Sequence, residues 1–347
     1  MPVYFIHFVT NRCNANCEHC FVDKKDFNNE LSLDEIRRMS KTMGNNLYNV
    51  LLTGGEPFIR KDLFEIVHNY FHNTKTESIQ IPTNGLLTDH IVKTAKEILK
   101  DNPNKQLGVN LSMDGIGRDH DKIRGVKGMF KRMIKTYNEL FILEEENDNF
   151  NLNINVTVSH YNQDKLVSIY KYLINELKAK NIFNSLIRGN PQNPIAKKVD
   201  LKKYEYFNHL LENGLKNKEL SGYSKFFLSN VINAQNIVSR KNIVKIAKHN
   251  KYVQPCYAGS LLGVIYSRGD VYPCELLNKK IGNIRDYNYD FRKLWLNNRT
   301  KKIREYIKNN KCFCTHECFM TVNTLFNPQL LPNVFKEFLR VKKWKLY

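Results

Sequence analysis

The amino-acid sequence predicts an α/β fold: a partial (β/α)6 barrel followed by a small cysteine-rich α+β domain. In about the first 190 residues, six short β-rich runs alternate with amphipathic helical stretches, which is typical of a parallel sheet with right-handed crossovers. From residue 256 onward the chain becomes rich in cysteine and turn residues. Six β–α units are too few for an eight-unit barrel, so we expect an open barrel with its active site at the C-terminal strand ends.

The first three β–α units are predicted from their local patterns. Val3–Val9 is an apolar run that predicts a buried strand, and it leads directly into a cysteine-containing loop. Ser32 and Glu35 form a capping box that begins the first helix, because their side chains satisfy free backbone N–H groups. The following strands and helices are predicted, in alternation, at Asn49–Thr53, Lys61–Asn73, Ser78–Thr83 and Thr88–Lys100.

The next units repeat this alternation and complete the predicted barrel. Their strands and helices are predicted at Leu107–Met113, Gly128–Glu146, Leu152–Ser159, Gln163–Lys180 and Asn184–Arg188. Residues 199–250 are helical, basic and without a motif. Ser267–Asp270 predicts a hairpin turn between Gly263–Tyr266 and Val271–Pro273. We therefore divide the chain into a barrel (1–198), a helical connector (199–255) and a cysteine-rich domain with a basic tail (256–347).

Composition and charge narrow the class of protein. The 347 residues carry 54 Lys and Arg against 34 Asp and Glu, a formal charge of +20. The lysines are scattered, and the abundance of Lys, Asn, Ile, Tyr and Phe indicates A+T-rich codons, so we expect no nucleic-acid partner. No run of about 18 apolar residues and no signal peptide is present. The sequence therefore predicts a soluble, cytoplasmic protein.

The eight cysteines are clustered in a way that points to metal binding. Cys13, Cys17 and Cys20 lie within eight residues, and the other five follow only after more than 230 residues. This pattern does not resemble the disulfide framework of a small secreted protein. A four-iron cluster usually takes four cysteines, so three thiolates would leave one iron open. The alternative is a structural zinc site made by these cysteines and His19.

Polar and glycine-rich motifs follow the other predicted strands. Gly54 and Gly55 allow close approach of the backbone, and Glu56 beside them can accept a hydrogen bond from an ammonium group. Further motifs follow the third, fourth and sixth strands, at 82–85, 112–115 and 188–191. Since the C-terminal ends of parallel strands meet at one edge, we expect these motifs to line one ligand site.

Taken together, the motifs identify the chain as resembling the radical S-adenosylmethionine (SAM) superfamily. The loop CNANCEHC matches the CX3CX2C signature of that superfamily, and GGEP follows the second strand. The resemblance implies a [4Fe-4S] cluster on Cys13, Cys17 and Cys20, with SAM chelating the fourth iron through its amino and carboxylate groups. It further implies SAM contacts from Gly54, Gly55, Glu56, His19, Asn84, Ser112 and Arg188.

The resemblance also implies an activity. Reductive cleavage of SAM gives methionine and a 5′-deoxyadenosyl radical, which abstracts hydrogen from the substrate. The electron would come from a donor such as flavodoxin or ferredoxin. The expected enzyme is a radical SAM oxidoreductase, or an epimerase if a hydrogen atom is returned to the substrate.

The C-terminal cysteines resemble part of the SPASM/twitch module found behind many such barrels. Cys256-x12-Gly269-x4-Cys274 matches its opening, whereas the tail has five cysteines and the full SPASM pattern has seven. The resemblance implies one auxiliary [4Fe-4S] cluster on Cys256, Cys274 and Cys318, with Cys312 or Cys314 as the fourth ligand. The remaining one of that pair could donate hydrogen to a substrate radical. Structural zinc is the alternative.

The substrate is less well defined by the sequence. We expect a sugar, cyclitol or glycan, because the chain starts directly at the first strand and leaves no room for a leader-peptide-binding domain. Modification of a ribosomal peptide is the alternative, and a zinc-stabilised nucleic-acid-binding protein is the alternative from another class. The basic, aromatic segment Phe335–Tyr347 could lie on an anionic membrane surface. It could instead pack its apolar side on the domain.

Overall fold

The structure is a computed structural model that describes residues 1–23, 27–223 and 228–346, with side chains up to residue 343. One nine-stranded sheet forms its centre, in the order β6-β5-β4-β3-β2-β1-β7-β8-β9. The strands are β1 Tyr4–Thr10, β2 Asn49–Gly54, β3 Ser78–Thr83, β4 Gln106–Ser112, β5 Phe150–Val158, β6 Ile182–Leu186, β7 Leu262–Ile265, β8 Asp270–Tyr272 and β9 Gly282–Asn283.

Helices follow the first six strands and fill the C-terminal region. They are α1 Leu33–Ser40, α2 Leu63–Asn73, α3 Thr88–Asp101, α4 Arg118–Arg124, α5 Met129–Glu146, α6 Leu166–Asn175, α7 Leu201–Lys216, α8 Ser229–His249, α9 Phe291–Trp295, α10 Asn298–Asn309, α11 Glu317–Leu325 and α12 Leu331–Leu346. Each of β1–β6 pairs in parallel with its neighbour. The predicted open (β/α)6 barrel is therefore confirmed. β6 begins two residues earlier than predicted, so Arg188 lies just beyond its end.

The cysteine-rich region extends the barrel sheet. β7 pairs in parallel with β1, with Tyr4 opposite Leu262 and His7 opposite Ile265, and β8 then pairs antiparallel with β7. The predicted hairpin is present, but its attachment to β1 was not predicted. Pairing with β7 covers the backbone groups that β1 would otherwise expose at the barrel edge. The attachment places the residues after β8 beside the loop that follows β1.

Local side-chain contacts reinforce this attachment. The predicted capping box forms at α1: Ser32 Oγ accepts from Glu35 N–H at 3.3 Å, and Glu35 Oε2 accepts from Ser32 N–H at 2.8 Å. Arg285, from the turn after β9, donates through Nε to the other oxygen of Glu35 at 2.6 Å. The first helix of the barrel is thus tied to the cysteine-rich region.

The C-terminal helix α12 packs against α8 through one face. Val334 and Val341 are buried there, whereas Leu331, Phe335 and Leu339, one helical turn apart, are exposed. The predicted packing on the domain is therefore present, and a separate apolar stripe faces outward. The side chains at 344–347, which belong to the predicted tail, lie outside the described residues. Within the described part of the chain, no helix combines the length and apolar character needed to cross a membrane.

Candidate active site

A cavity of about 550 Å³ lies inside the partial barrel and brings most of the predicted site residues together. Its walls come from the whole length of the strands, from Asn49 and Ser78 at strand starts to Ser112 at a strand end, and from α8 and the start of α11. The predicted site residues that line it are Cys13, Cys17, His19, Cys20, Gly54, Gly55, Glu56, Asn84, Ser112, Arg188 and Cys318. The other predicted cysteines, Cys256, Cys274, Cys312 and Cys314, do not line this cavity.

The loop after β1 gathers the first three cysteines. Cys13, Cys17 and Cys20 pack in one small apolar cluster with Ala15, Leu86, Val126 and Met129. The loop is held from the α4 side, where Asn16 N–H donates to the Arg124 carbonyl at 3.0 Å. Gly125 permits this approach, because a Cβ there would lie 2.4 Å from the Asn16 carbonyl oxygen. The three thiols therefore share one rim of the cavity.

Gly54 and Gly55, at the end of β2, lie where the backbone packs too closely for a side chain. A Cβ on Gly54 would lie 2.0 Å from the Thr10 carbonyl oxygen, and a Cβ on Gly55 would lie 2.1 Å from that of Arg12. The backbone instead makes hydrogen bonds there, with Gly55 N–H donating to Thr10 and Glu56 N–H to Arg12, both at 2.8 Å. The backbone of residues 54–56 therefore packs directly against that of Thr10 and Arg12, which requires the two glycines. This packing places Glu56 beside the cysteine loop.

Glu56 is a buried carboxylate held by three donors. Its Oε1 accepts from Thr83 Oγ1 at 2.8 Å and from Phe58 N–H at 3.2 Å, and its Oε2 accepts from Asn84 N–H at 2.7 Å. Burial raises the pKa of Glu56 to about 7, although these hydrogen bonds lower it. A cationic ligand in the cavity would favour the ionised form. Asn84 also donates from its side chain to Asn14 Oδ1 at 2.7 Å, which links β3 to the cysteine loop.

A second buried network of charged side chains lies next to Cys17. The sequence did not predict it. Arg124 Nη2 is 2.6 Å from Asp114 Oδ2, and Arg124 Nη1 is 3.7 Å from Cys17 Sγ. His19 Nε2 lies 3.5 Å from the same Asp114 oxygen. Thr157 N–H donates to the other Asp114 oxygen at 2.7 Å. The motif at 112–115 contains Asp114, and Arg124 follows ten residues later, but their pairing depends on the fold. Arg124 can stabilise a thiolate at Cys17.

The predicted SAM contact Arg188 takes part in a third network. Its Nε and Nη2 donate to Glu275 Oε2 at 3.2 and 3.0 Å, and its Nη1 lies 3.7 Å from Glu317 Oε2. His316 Nε2 is 3.1 Å from the same Glu275 oxygen. His316 and Arg188 lower the pKa of Glu275 to about 2 in spite of its burial, while burial lowers the pKa of His316 itself. Arg188 therefore joins the end of β6 to the cysteine-rich region.

The five C-terminal cysteines occupy different surroundings. Burial raises the pKa of Cys274 and of Cys314 to about 12, and repulsion between their charges and that of Cys256 adds to this effect. Cys318 lies at the start of α11, on the cavity wall, and its thiol hydrogen-bonds with Tyr4. Cys312 is partly buried.

The surroundings of both thiol groups fit iron–sulfur clusters. Arg124 places a positive charge beside Cys17, and Leu277 N–H donates to Cys274 Sγ at 3.2 Å. Such charges and hydrogen bonds stabilise thiolate ligands and set cluster potentials. The raised pKa values also fit, because buried thiols with these values ionise at neutral pH when a metal binds them.

A cluster of a different kind lies on the outer surface. His68, His72 and Asp101 have donor atoms within 4.8 Å of one another. His68 Nδ1 lies 2.7 Å from Asp101 Oδ2, and all three side chains are at least partly exposed. These residues are on α2 and α3, away from the cavity.

Two family profiles match the chain. A profile described as the Radical SAM superfamily matches residues 8–172, and an iron-sulfur cluster-binding domain, SPASM, matches residues 256–319. The two matched regions contain the cysteine loop after β1 and all five C-terminal cysteines.

Similar proteins are found among curated sequences and solved structures. Fe-coproporphyrin III synthase of Methanosarcina barkeri is 37% identical over 133 residues, which is 37% of this chain and 31% of that protein. An uncharacterised protein of Methanocaldococcus jannaschii is 28% identical over 290 residues, covering 81% of this chain and 88% of its own length. SuiB of Streptococcus suis bound to S-adenosylmethionine has a TM-score of 0.62 at 18% identity, over 88% of this chain and 68% of its own.

Proposed function

The chain is a radical SAM enzyme with a C-terminal SPASM domain, and we propose that it oxidises a polar substrate held in the barrel cavity. When bound, SAM and the first [4Fe-4S] cluster would supply, on one-electron reduction, a 5′-deoxyadenosyl radical able to remove a hydrogen atom. The auxiliary cluster would accept the second electron from the substrate, and the accompanying proton would pass to solvent. Flavodoxin or ferredoxin is the proposed donor of the starting electron.

On the SAM side, the proposed roles belong to residues of the cavity rim. Cys13, Cys17 and Cys20 would hold the cluster. Glu56 would accept a hydrogen bond from the SAM ammonium, since its carboxyl group lines the same cavity and a cation beside it favours the ionised form. His19, Asn84, Ser112 and Arg188 line this cavity as well, which supports their proposed contacts with SAM. Of these, Arg188 already has a partner in Glu275.

On the auxiliary side, we propose Cys256, Cys274, Cys314 and Cys318 as the four ligands. The charge of Cys314 interacts with those of both Cys256 and Cys274, whereas Cys312 interacts with Cys256 alone of these two, which supports Cys314 over Cys312 as the fourth ligand. The observation that carries the proposed function is that Cys318 lines the cavity that Cys13, Cys17 and Cys20 also line. A substrate there would lie between the site of hydrogen abstraction and a ligand of the electron acceptor.

The cavity wall supports a hydroxyl-rich substrate of the sugar, cyclitol or glycan kind. Neutral amides and hydroxyls line the cavity along the strands, from Asn49, Ser78 and Asn151 at the strand starts to Gln80, Asn110, Asn155 and Ser185 further along. Amides offer both donors and acceptors, as the hydroxyl groups of such substrates do.

Peptide modification is the second candidate. SuiB has been crystallised with its precursor peptide SuiA, and its likeness to this chain is a likeness of fold. In this chain, a second cavity of about 610 Å³ adjoins the first at Arg188 and is lined by Phe21 and Phe313. A peptide could reach the barrel through this opening.

Mass spectrometry of turnover tests the proposed function. Reconstituted protein is incubated with SAM, a reductant and candidate polyols or peptides, in H2O and in D2O. We expect a product that has lost two hydrogens, with one SAM consumed per turnover. A product of unchanged mass that gains one deuterium in D2O would instead show hydrogen return, with Cys312 or Cys314 as the candidate donor. Stoichiometric zinc in place of iron would contradict both versions.

A further inference from the structure

Arg240 is a cation in the barrel cavity that has no hydrogen-bond or ion-pair partner among the residues that the structure describes. It lies on α8, one helical turn after Asn236, and both side chains line the cavity. Neither of them hydrogen-bonds or ion-pairs with any residue that the structure describes. Burial lowers the pKa of Arg240, because nearby charges compensate only part of the lost hydration.

The other two arginines of the cavity provide a contrast. Arg124 is 2.6 Å from Asp114 Oδ2, and Arg188 is 3.0 Å from Glu275 Oε2. Each of these guanidinium groups therefore has its own buried carboxylate. Arg240 is the unpaired cation among the described cavity residues, and a desolvated charge without a partner is unfavourable.

Two acidic residues, Glu317 and Glu212, interact electrostatically with Arg240, but both contact other groups. Glu317 Oε1 accepts from Leu186 N–H at 2.6 Å, and its Oε2 faces Arg188 Nη1 at 3.7 Å. Glu212 accepts from Arg340 Nη2 at 3.3 Å. Tyr204 and Tyr223 are the remaining groups that favour the charged form of Arg240, and burial raises the pKa of both. They are therefore neutral at physiological pH and provide no counter-charge.

We propose that Arg240, assisted by Asn236, binds an anionic oxygen group of the substrate, a carboxylate or a phosphate. The inference rests on the proposed function, and it narrows the substrate to a polar molecule that carries a negative charge. A guanidinium group presents parallel N–H donors that match either anion, and the amide of Asn236 adds another donor on the same face of α8. The anion would orient the rest of the substrate toward the cysteine side of the cavity.

Thermal unfolding of the reconstituted holoenzyme tests this assignment. Wild type, R240Q and R240K are compared in sodium chloride, sodium acetate and sodium phosphate at equal ionic strength, each with and without SAM. We expect acetate or phosphate to raise the Tm of wild type by several degrees relative to chloride, to raise that of R240K less, and to leave R240Q unchanged. The anion with the larger effect distinguishes a carboxylate from a phosphate.

The matched control is R188Q, which removes a paired arginine from the same cavity. We expect R188Q to lower the Tm, since it leaves the buried Glu275 carboxylate with only His316 beside it, and R240Q to leave the Tm unchanged or raise it. Equal anion effects in wild type and R240Q, no anion effect in wild type, or a loss in R240Q as large as in R188Q would overturn the proposal. A smaller SAM-induced shift in R240Q would assign Arg240 to the SAM carboxylate instead. SAM cleavage, measured separately, reports on the proposed function.

Discussion

Arg188 directs two N–H groups, from Nε and Nη2, to a single oxygen of Glu275, at 3.2 and 3.0 Å. The two residues are 87 positions apart, one just after β6 and the other directly after Cys274. The Glu275 side chain is buried and that of Arg188 is partly buried, and Glu275 has a pKa lowered to about 2. The pair thus fixes the position of a proposed auxiliary ligand relative to the barrel.

Breaking this pair should destabilise the protein strongly. Replacing Arg188 with Gln leaves the buried Glu275 carboxylate with His316 as its remaining partner, so we expect a loss of up to about 3–5 kcal/mol in the free energy of unfolding. Denaturant unfolding of anaerobically purified protein measures it. The control is Arg37→Gln, which removes an exposed ion pair with Asp34 and should cost at most about 1 kcal/mol. Similar losses in both variants would contradict the structural role of Arg188.

Glu56→Gln should weaken SAM binding without loss of iron. If the carboxylate accepts a hydrogen bond from the SAM ammonium, the neutral amide loses a charge-assisted interaction worth about 1.5–3 kcal/mol, or roughly 10- to 150-fold in affinity. Equilibrium binding of SAM to the reconstituted protein, together with iron analysis, checks this. Unchanged affinity would mean that the GGEP segment does not bind the amino group.

The affinity of the wild type for SAM should also depend on pH. The pKa of Glu56 is raised to about 7 in the free protein, so a cationic ligand must displace a proton below that pH. Affinity should therefore rise about tenfold between pH 6 and pH 8, and the Glu56→Gln variant should lack this rise. For the same reason, the stability of the free protein should decrease as pH rises from about 4.5 to 7. An equal pH dependence in both proteins would assign it to another group.

The parts of the fold that local patterns encode were predictable. Strand and helix alternation gave the six β–α units, and the Ser32–Glu35 capping box forms as expected. The parallel pairing of β1 with β7 was not predictable, because Tyr4 and Leu262 are 258 residues apart and no local signal links them. Side-chain pairs between residues far apart in the sequence, such as Arg188 and Glu275, were not predictable for the same reason.

The candidate site also combines residues that local sequence patterns predict with residues that only the fold brings together. Cys13, Cys17, Cys20 and Glu56 were found from their spacing and their position after strands, which are local features. Arg240 lies in a helical stretch with no motif, and its importance depends on the absence of a partner among the described residues. Only a folded chain reveals that kind of feature.

The iron content of two cysteine variants should identify the fourth auxiliary ligand. Both thiols are partly buried, but the charge of Cys314 interacts with those of Cys256 and Cys274, whereas Cys312 interacts with Cys256 and with Lys279. The reconstituted wild type should hold about eight irons in two four-iron clusters. Cys314→Ala should hold about four, and Cys312→Ala should keep about eight. A triple Ala variant at Cys13, Cys17 and Cys20 is the reference, since it should lose the other four irons and SAM cleavage. The reverse pattern, with iron lost in Cys312→Ala and kept in Cys314→Ala, would exchange the two roles and make Cys314 the spare thiol.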